Sequence, residues 1–533
     1  MKRLSTYILL ALFLIGATGC EEWLDINQNP NDLTESTKEL VLTGVTKQYA
    51  ERQQLGAGFS LLGAWTGYVG HSGGWSGWNN VKSYRIIASD YNGFWDGPYP
   101  NELKNLRYVE EKGNEDGNMA FVAVAKIMKA GLFQRLVDTY GDVPYSEGIM
   151  GFDGITTPVY DDAQTIYDDL VAELDFAINE LDDILGDPGR SGNETIGDED
   201  LINQGDLEAW MMYGNTLKLR ILLRQAGMSS RQAYIQTNIS STAALGYVSS
   251  MTTGHITGNP GYQAETAGKM NPLYESYGTN YQYSYTSGHQ QYSLNVFLHN
   301  LYTTTFDPRM TICWLPGVQT NDYNNPTKLG AASSDMPHWN ESAILFSEAI
   351  YGEMDGDVMV MSTMEADFLI AEAIQRGYLA SYEGGDAQDW YEEGVAESFW
   401  YYGSRGGLTN GEINDTINFY LGQTLENVDW ASSPDKLKAI MYQKYTAGVG
   451  VYHYETWADY RRTGFPDAMY GDTDNSMISY YFDIVRPQVP VRLTYPQREL
   501  DINSAHANAA LDKTGVPNGS DFIMDAKIFW DVN

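Results

Sequence analysis

The stretch FVAVAKIMKAGLFQRLVDTYGDVP, Phe121 to Pro144, decides the class of fold. Phe121, Ala125, Met128, Leu132 and Leu136 recur at steps of three and four, the spacing that lines one face of an α-helix. The pattern stops at Tyr140-Gly141-Asp142-Val143-Pro144, where glycine and proline end a helix. The same periodicity continues downstream. Ile166, Leu170, Leu174, Ile178, Leu181 and Leu185 mark a helix entered through Asp161-Asp162, whose carboxylates suit the positive end of a helix dipole. Leu207, Trp210, Gly214, Leu217 and Ile221 mark another, with Asp206 as its N-cap.

Further helices are expected over Ser36 to Gln54, Met364 to Ala373, Pro434 to Tyr445 and Tyr452 to Arg462. Ala387, Tyr391, Gly394 and Ser398 give the Met364 helix a partner across a Gly-containing turn. Small residues in two adjacent helices resemble a tetratricopeptide pair, although no clean self-repeat is present. No strand–helix alternation supports an α/β fold. The expected architecture is all-α: tetratricopeptide-like helix pairs carrying a long, loop-rich ligand-binding face. Gly56 to Asn80 reads as loop, as does the tail from Pro487. Residues 229–356 read as a loop-rich insert in which Ser293 to Tyr302 alone looks helical. No linker divides the chain, so 36–533 reads as one domain.

The N-terminus carries a different message. Lys2 and Arg3, an apolar run from Tyr7 to Ile15, and small residues up to Gly19 form a secretory signal peptide over 1–19. The apolar run is too short to span a bilayer, which needs about 20 residues. A cysteine directly after Gly19 fits bacterial lipidation, so the mature chain is expected to begin at a diacylglyceryl Cys20 with a polar tether over 20–35. Ala17 departs from the pattern, since leucine is commoner three residues before such a cysteine. The formal net charge of −37 repels nucleic acid and anionic lipid surfaces alike, which leaves lipid on Cys20 as the membrane attachment and excludes nucleic acid as a partner. With Cys20 lipidated, Cys313 has no disulfide partner, and in Ile312-Cys313-Trp314 it reads as a small buried hydrophobe.

Dispersed, ordered motifs carry a family resemblance. They include Leu136-Val137-Asp138-Thr139-Tyr140-Gly141-Asp142-Val143-Pro144-Tyr145-Ser146-Glu147, Tyr160-Asp161, Leu217-Lys218-Leu219-Arg220 with Arg224, and Asp307-Pro308-Arg309. Phe368-Leu369-Ile370-Ala371-Glu372-Ala373, Gln443-Lys444-Tyr445, Glu455 through Pro466, Arg486-Pro487, and Tyr495-Pro496 with Glu499 and Asn503 complete the set. Together they resemble the SusD/RagB family of outer-membrane lipoproteins of Bacteroidota. Leu24-Asp25-Ile26-Asn27 with Asn29-Pro30-Asn31 is similar to its second branch, and Glu21-Glu22 resembles the family's acidic surface-export signal. The resemblance implies a bundle of tetratricopeptide-like helix pairs sitting as a hinged lid on a SusC-like TonB-dependent transporter. It also implies capture of an oligosaccharide or peptide for uptake, on an outer-membrane anchor facing the exterior.

The resemblance supplies no ligand motif, so binding residues are chosen on chemistry. Trp75, Trp78, Asn79 and Asn80 lie in a Gly-rich loop. Flat rings stack on the C–H faces of sugars, while amides bond hydroxyls, and neither demands a charged ligand. The same rings could instead plug the loop onto the helices. Tyr281, Tyr283, Tyr285 and His289 form a second cluster, read either as a platform or as a strand with one buried face. A glycan is favoured over a peptide because these loops offer neutral amides and rings.

Gly70-His71-Ser72-Gly73-Gly74 fits a serine-hydrolase elbow but lacks the strand-to-helix context. Chance carboxylate pairs leave a surface-anchored hydrolase as the competing class, and a ligand-free scaffold as a third. No histidine spacing suits zinc, and Asp355-Gly356-Asp357 and Asp472-Thr473-Asp474 read as acidic turns rather than calcium loops. No cofactor and no catalytic role are expected. Arg461-Arg462 are expected to pair with Asp459 and Glu455 as structural ions.

Overall fold

The computed structural model describes residues 36–55, 58–75, 77, 79–467, 476–480, 488–516 and 521–533. Cys20 with its signal peptide and tether, Trp78, Asp472-Thr473-Asp474 and Arg486-Pro487 lie outside the described residues. Helices of eight residues or more are numbered in chain order. They are α1 Lys38–Gln54, α2 Gly58–Trp65, α3 Lys104–Asp116, α4 Met119–Tyr140, α5 Ala163–Gly186, α6 Leu207–Arg224 and α7 Gln232–Thr242. After these come α8 Val296–Thr304, α9 Thr363–Gln375, α10 Ala387–Arg405, α11 Asn410–Leu421, α12 Lys436–Ala447, α13 His453–Thr463 and α14 Ser504–Asp512.

Helix α4 is buried on almost every face because α3 and α5 flank it, which suits a helix apolar all round. The packing continues from α5 to α6, from α6 to α9, and into the α9–α10 pair with α12 across it. This is the expected all-helical body built of helix pairs. Helix α4 ends at Gly141, whose φ of 78° and ψ of −121° only glycine adopts without strain. Gly141→Ala should therefore cost about 1–3 kcal/mol in denaturant unfolding. The two aspartates that follow divide their work. Asp162 caps α5 by accepting from the Thr165 amide at 3.0 Å, whereas Asp161 accepts from the Tyr145 and Ser146 amides at 2.9 and 2.8 Å and holds the preceding loop.

The seam between α4, α6, α9, α12 and α13 is ionic. Arg220 of α6 grips Glu365 of α9 with two hydrogen bonds of 2.9 and 2.8 Å. Arg462 of α13 grips Glu372 of α9 at 2.6 Å through both terminal nitrogens and meets Asp459 at 2.7 Å. Arg224 contacts Glu455, Asp459 and Asp138, and Lys444 lies 2.9 Å from Asp459. Arg461 departs from the expectation. It donates to the carbonyls of Asp138 and Val491 at 2.6 and 2.8 Å and lies over the Trp457 ring, pairing with neither Asp459 nor Glu455.

Asp367, on the same α9, is fully buried, and neither carboxylate oxygen has a hydrogen-bond partner. Burial, aided by repulsion from Glu397 and Glu393, holds its carboxyl well above the usual carboxylate range. An acid raised on folding costs nothing while protonated in both states and loses stability as pH rises above its unfolded value, about 4. Asp367→Asn should thus raise the melting temperature at pH 7 while changing it little at pH 4.

Three stretches read as loop contain regular structure. Residues 56–80 contain α2 and a strand, β1 Val69–His71. Burial of Leu61, Leu62 and Trp65 against α13 overrides the low helix propensity of the glycines. The 229–356 region adds α7 and four short strands: β2 Ile256–Gly258, β3 Tyr292–Leu294, β4 Trp314–Leu315 and β5 Leu345–Phe346. A last strand, β6 Val358–Met361, pairs with β2 beside α1. The tail forms Gln497–Ile502 and α14. Cys313 is buried, as expected.

Candidate functional site: the loops above the small sheet

Strands β1, β3, β5 and β4 form an antiparallel sheet in that order, with Val69 opposite Leu294 and Ser293 opposite Leu345. The sheet draws together segments up to 277 residues apart in the chain, Val69 and Phe346 being its outermost members. Above it meet the loops after β1, before β3 and before β5. Gly73 shows how tightly they meet. Its amide donates to the Pro337 carbonyl at 2.6 Å, and a Cβ there would lie 2.6 Å from the Met336 carbonyl oxygen. Thr327 donates to the His71 carbonyl, also at 2.6 Å.

A cleft of about 410 Å³ opens between the β1 loop and residues 329–336. Trp75, Asn79, His71, Lys82, Ser333 and Met336 are among its walls. Trp75 is half-buried, and its indole N–H is buried without a hydrogen-bond partner among the described residues. Asn79 is exposed. Asn80 is committed elsewhere: its amide donates to Asp90 at 2.7 Å and fixes the loop. Burial, then the nearby Lys82 charge, lowers the His71 pKa to about 4, so its imidazole is neutral at pH 7. A second cleft of about 590 Å³ shares Gly330 as a wall and is bordered by Asp335 and Lys328.

Residues 279–285 form a tight hairpin and not a strand with a buried face. Asn280 accepts from the amides of Gln282 and Ser284, and Tyr283 has a φ of 61°. Tyr281, Tyr283 and Tyr285 are 42, 64 and 52% exposed. His289 is not an exposed contact. Its ring is buried and lies parallel beneath Tyr285, with centroids 4.1 Å apart. Burial lowers its pKa to about 4, so its imidazole is neutral at pH 7. The short helix Ser287–Gln291 carries His289 and delivers the Gln290 and Gln291 carbonyls to Ser72. The β1 loop, through Ser72, and the tyrosine hairpin, through His289, are thus both tied to one short helix.

The sequence profile of the second SusD-like family, described as starch-binding and associating with the outer membrane, matches residues 30–496. The chain belongs to this family. No curated protein sequence matches it significantly. Among solved structures, a SusD homologue from Bacteroides uniformis is 22% identical with a TM-score of 0.69, covering 92% of this chain and 99% of that one. A chitin-binding SusD homologue from Flavobacterium johnsoniae is 22% identical with a TM-score of 0.68, covering 93% and 98%. A third structure, of a chitin-binding protein, gives 22%, 0.70, 93% and 100%. These likenesses fix the fold.

In this SusD-like chain Ser72 is fully buried, and its hydroxyl donates to the Gln290 carbonyl. It follows β1, but the helix that would expose a nucleophile is missing at that point. Asp357 accepts from Thr257 and Asn259, both at 2.8 Å, which accounts for the Asp355-Gly356-Asp357 turn. No group of three metal-binding side chains occurs among the described residues, and no helix among them is long and apolar enough to cross a membrane. Sequence reasoning missed His338 and Trp339. Their rings lie 5.7 Å apart beside Gly73 and Gly74, at the edge of the Trp75 loop. The only signal was their adjacency within a Ser/Asn/Asp-rich segment, which has no periodicity.

Proposed function

We propose that this protein is a non-enzymatic surface lipoprotein that binds a nutrient glycan and passes it to a SusC-like TonB-dependent transporter of the outer membrane. The observation that supports it is the Trp75 cleft. It presents the half-buried Trp75 ring, an exposed amide and a neutral imidazole. These groups suit a ligand of hydroxyls and apolar C–H faces, and they supply no strong charge complement beyond Lys82. Family membership and the two chitin-binding neighbours agree with a polysaccharide ligand. The tyrosine hairpin, stiffened from beneath by His289, offers a further platform.

The test is calorimetry with starch, chitin and peptide oligomers, followed by product analysis. Saccharide binding without chain shortening is expected. Peptide binding alone, or catalytic shortening, would overturn the reading. Membrane attachment is tested separately. Cys20→Ala should move the protein from the membrane to the soluble fraction, and persistence in the membrane would remove the lipid anchor from the proposal.

A further inference from the structure

We infer that a separate cleft, between Trp95, Tyr99 and Phe152, is another saccharide-binding site. This rests on the reading of the protein as a glycan binder. The cleft has a volume of about 470 Å³, within the range of small-ligand sites. It opens where the chain leaves α4 through Gly141 and turns back toward α5. Tyr99 and Trp95 lie inside it, their centroids 5.0 Å apart. Phe152 stands at its mouth.

Phe152 is 83% exposed, the highest value among the large apolar side chains described. Phe152 does not stand alone on the surface: it continues an apolar wall made by Tyr99, Pro144, Ile149 and Ile155, and a contiguous apolar surface of this kind marks a binding groove. It is also held in place. Arg107 donates to the Ile149 carbonyl at 2.9 Å and to Asp153 at 2.6 Å, pinning the turn that carries Phe152, and the Lys104 ammonium lies 4.9 Å from the ring centroid. Tyr99 donates to the Pro144 carbonyl at 2.7 Å, fixing the inner wall. An aromatic presented on a rigid turn loses little freedom on binding.

The rim identifies the ligand class. Arg498, Glu499, Lys104 and Thr156 border the apolar interior, mixing donors and acceptors of both charge signs. Arg498 is already paired with Asp96 at 2.6 Å, and the remaining rim charges, Lys104 and Glu499, are of opposite sign, so the rim carries little net charge. Apolar walls edged by balanced donors and acceptors fit a sugar ring, which offers C–H faces and a hydroxyl perimeter. One chain segment joins this cleft to the first. Asn79 lines the Trp75 cleft, Asn80 bonds Asp90, the Ala88 carbonyl accepts from Gln497, and Trp95 and Tyr99 enter the Phe152 cleft. Ile87, 54% exposed, lies along this connection.

The experiment uses the whole mature chain, with thermal melts confirming that each variant folds. The probe is whichever starch or chitin oligomer the wild type binds. Calorimetry should show two sites per molecule. Phe152→Ala should leave one, Trp75→Ala should leave the other, and the double variant should bind none. If Phe152→Ala leaves stoichiometry and affinity unchanged while Trp75→Ala abolishes binding, the second site is wrong and the first stands. If Phe152→Ala impairs only assembly with the transporter, the cleft docks protein and the inference is overturned. If the wild type binds no saccharide, the functional proposal fails, and this inference fails with it.

Discussion

Glu455→Gln should lower the unfolding free energy by about 3–5 kcal/mol, the usual cost of removing one partner from a buried ion pair. Glu455 is fully enclosed between α6 and α13, where it contacts Arg224 and lies 3.6 Å from Arg220. The glutamine keeps the shape but leaves two guanidinium groups short of a counter-charge. Burial by itself would raise the Glu455 pKa; Arg220 and Arg224 outweigh it and hold the group at about 2. Glu372, buried against Arg462 and Arg376, is likewise held at about 2. A carboxyl lowered on folding contributes stability above its unfolded value, about 4.3, and loses that contribution as pH falls through the folded one. The wild type should therefore weaken progressively below about pH 4.5, and the penalty of Glu455→Gln should shrink over the same window. Urea unfolding at pH 7 and pH 3 measures both. A penalty below about 1 kcal/mol at pH 7 would mean that the remaining carboxylates, Glu365, Asp138 and Asp459, suffice for Arg220 and Arg224 without Glu455.

Trp75→Ala should weaken binding at the first cleft roughly thirtyfold, the effect of losing about 2 kcal/mol at a buried aromatic anchor. The ring is the cleft's largest wall, and its N–H has no partner to lose among the described residues, so truncation removes contact with ligand while sparing the fold. Trp75→Phe keeps a smaller stacking face and should recover part of the affinity. Asn80→Ala provides the contrast, because its amide serves Asp90: loop stability should suffer before ligand contact does. Equal affinity for wild type and Trp75→Ala, with melting unchanged, would remove the cleft from the mechanism.

Much of the body could be read from residue spacing. Helices α4, α5 and α6 follow from leucines and isoleucines three and four apart, Asp162 and Asp206 cap as expected, and the α9–α10 pair follows from its small residues. These are local signals, carried by neighbours in the chain. Helix α2 was hidden because its support comes from α13, almost 400 residues later, and its own glycines argue for a loop. The sheet was hidden for the same reason, since strands of two to four residues contain no period to detect.

The candidate site divides along that line. Sequence by itself determined the chemistry available: a Trp and Asn loop, a tyrosine-rich hairpin, and charged motifs that could pair. Tertiary structure alone decided which groups face outward. It left the Trp75 N–H without a partner among the described residues, turned Asn80 to Asp90, buried His289 beneath Tyr285, sealed Ser72 against Gln290, and set His338 and Trp339 beside the first loop. The physical reason is that exposure and hydrogen-bond satisfaction belong to the contacts of the folded chain, and most of those contacts join residues that the sequence keeps far apart.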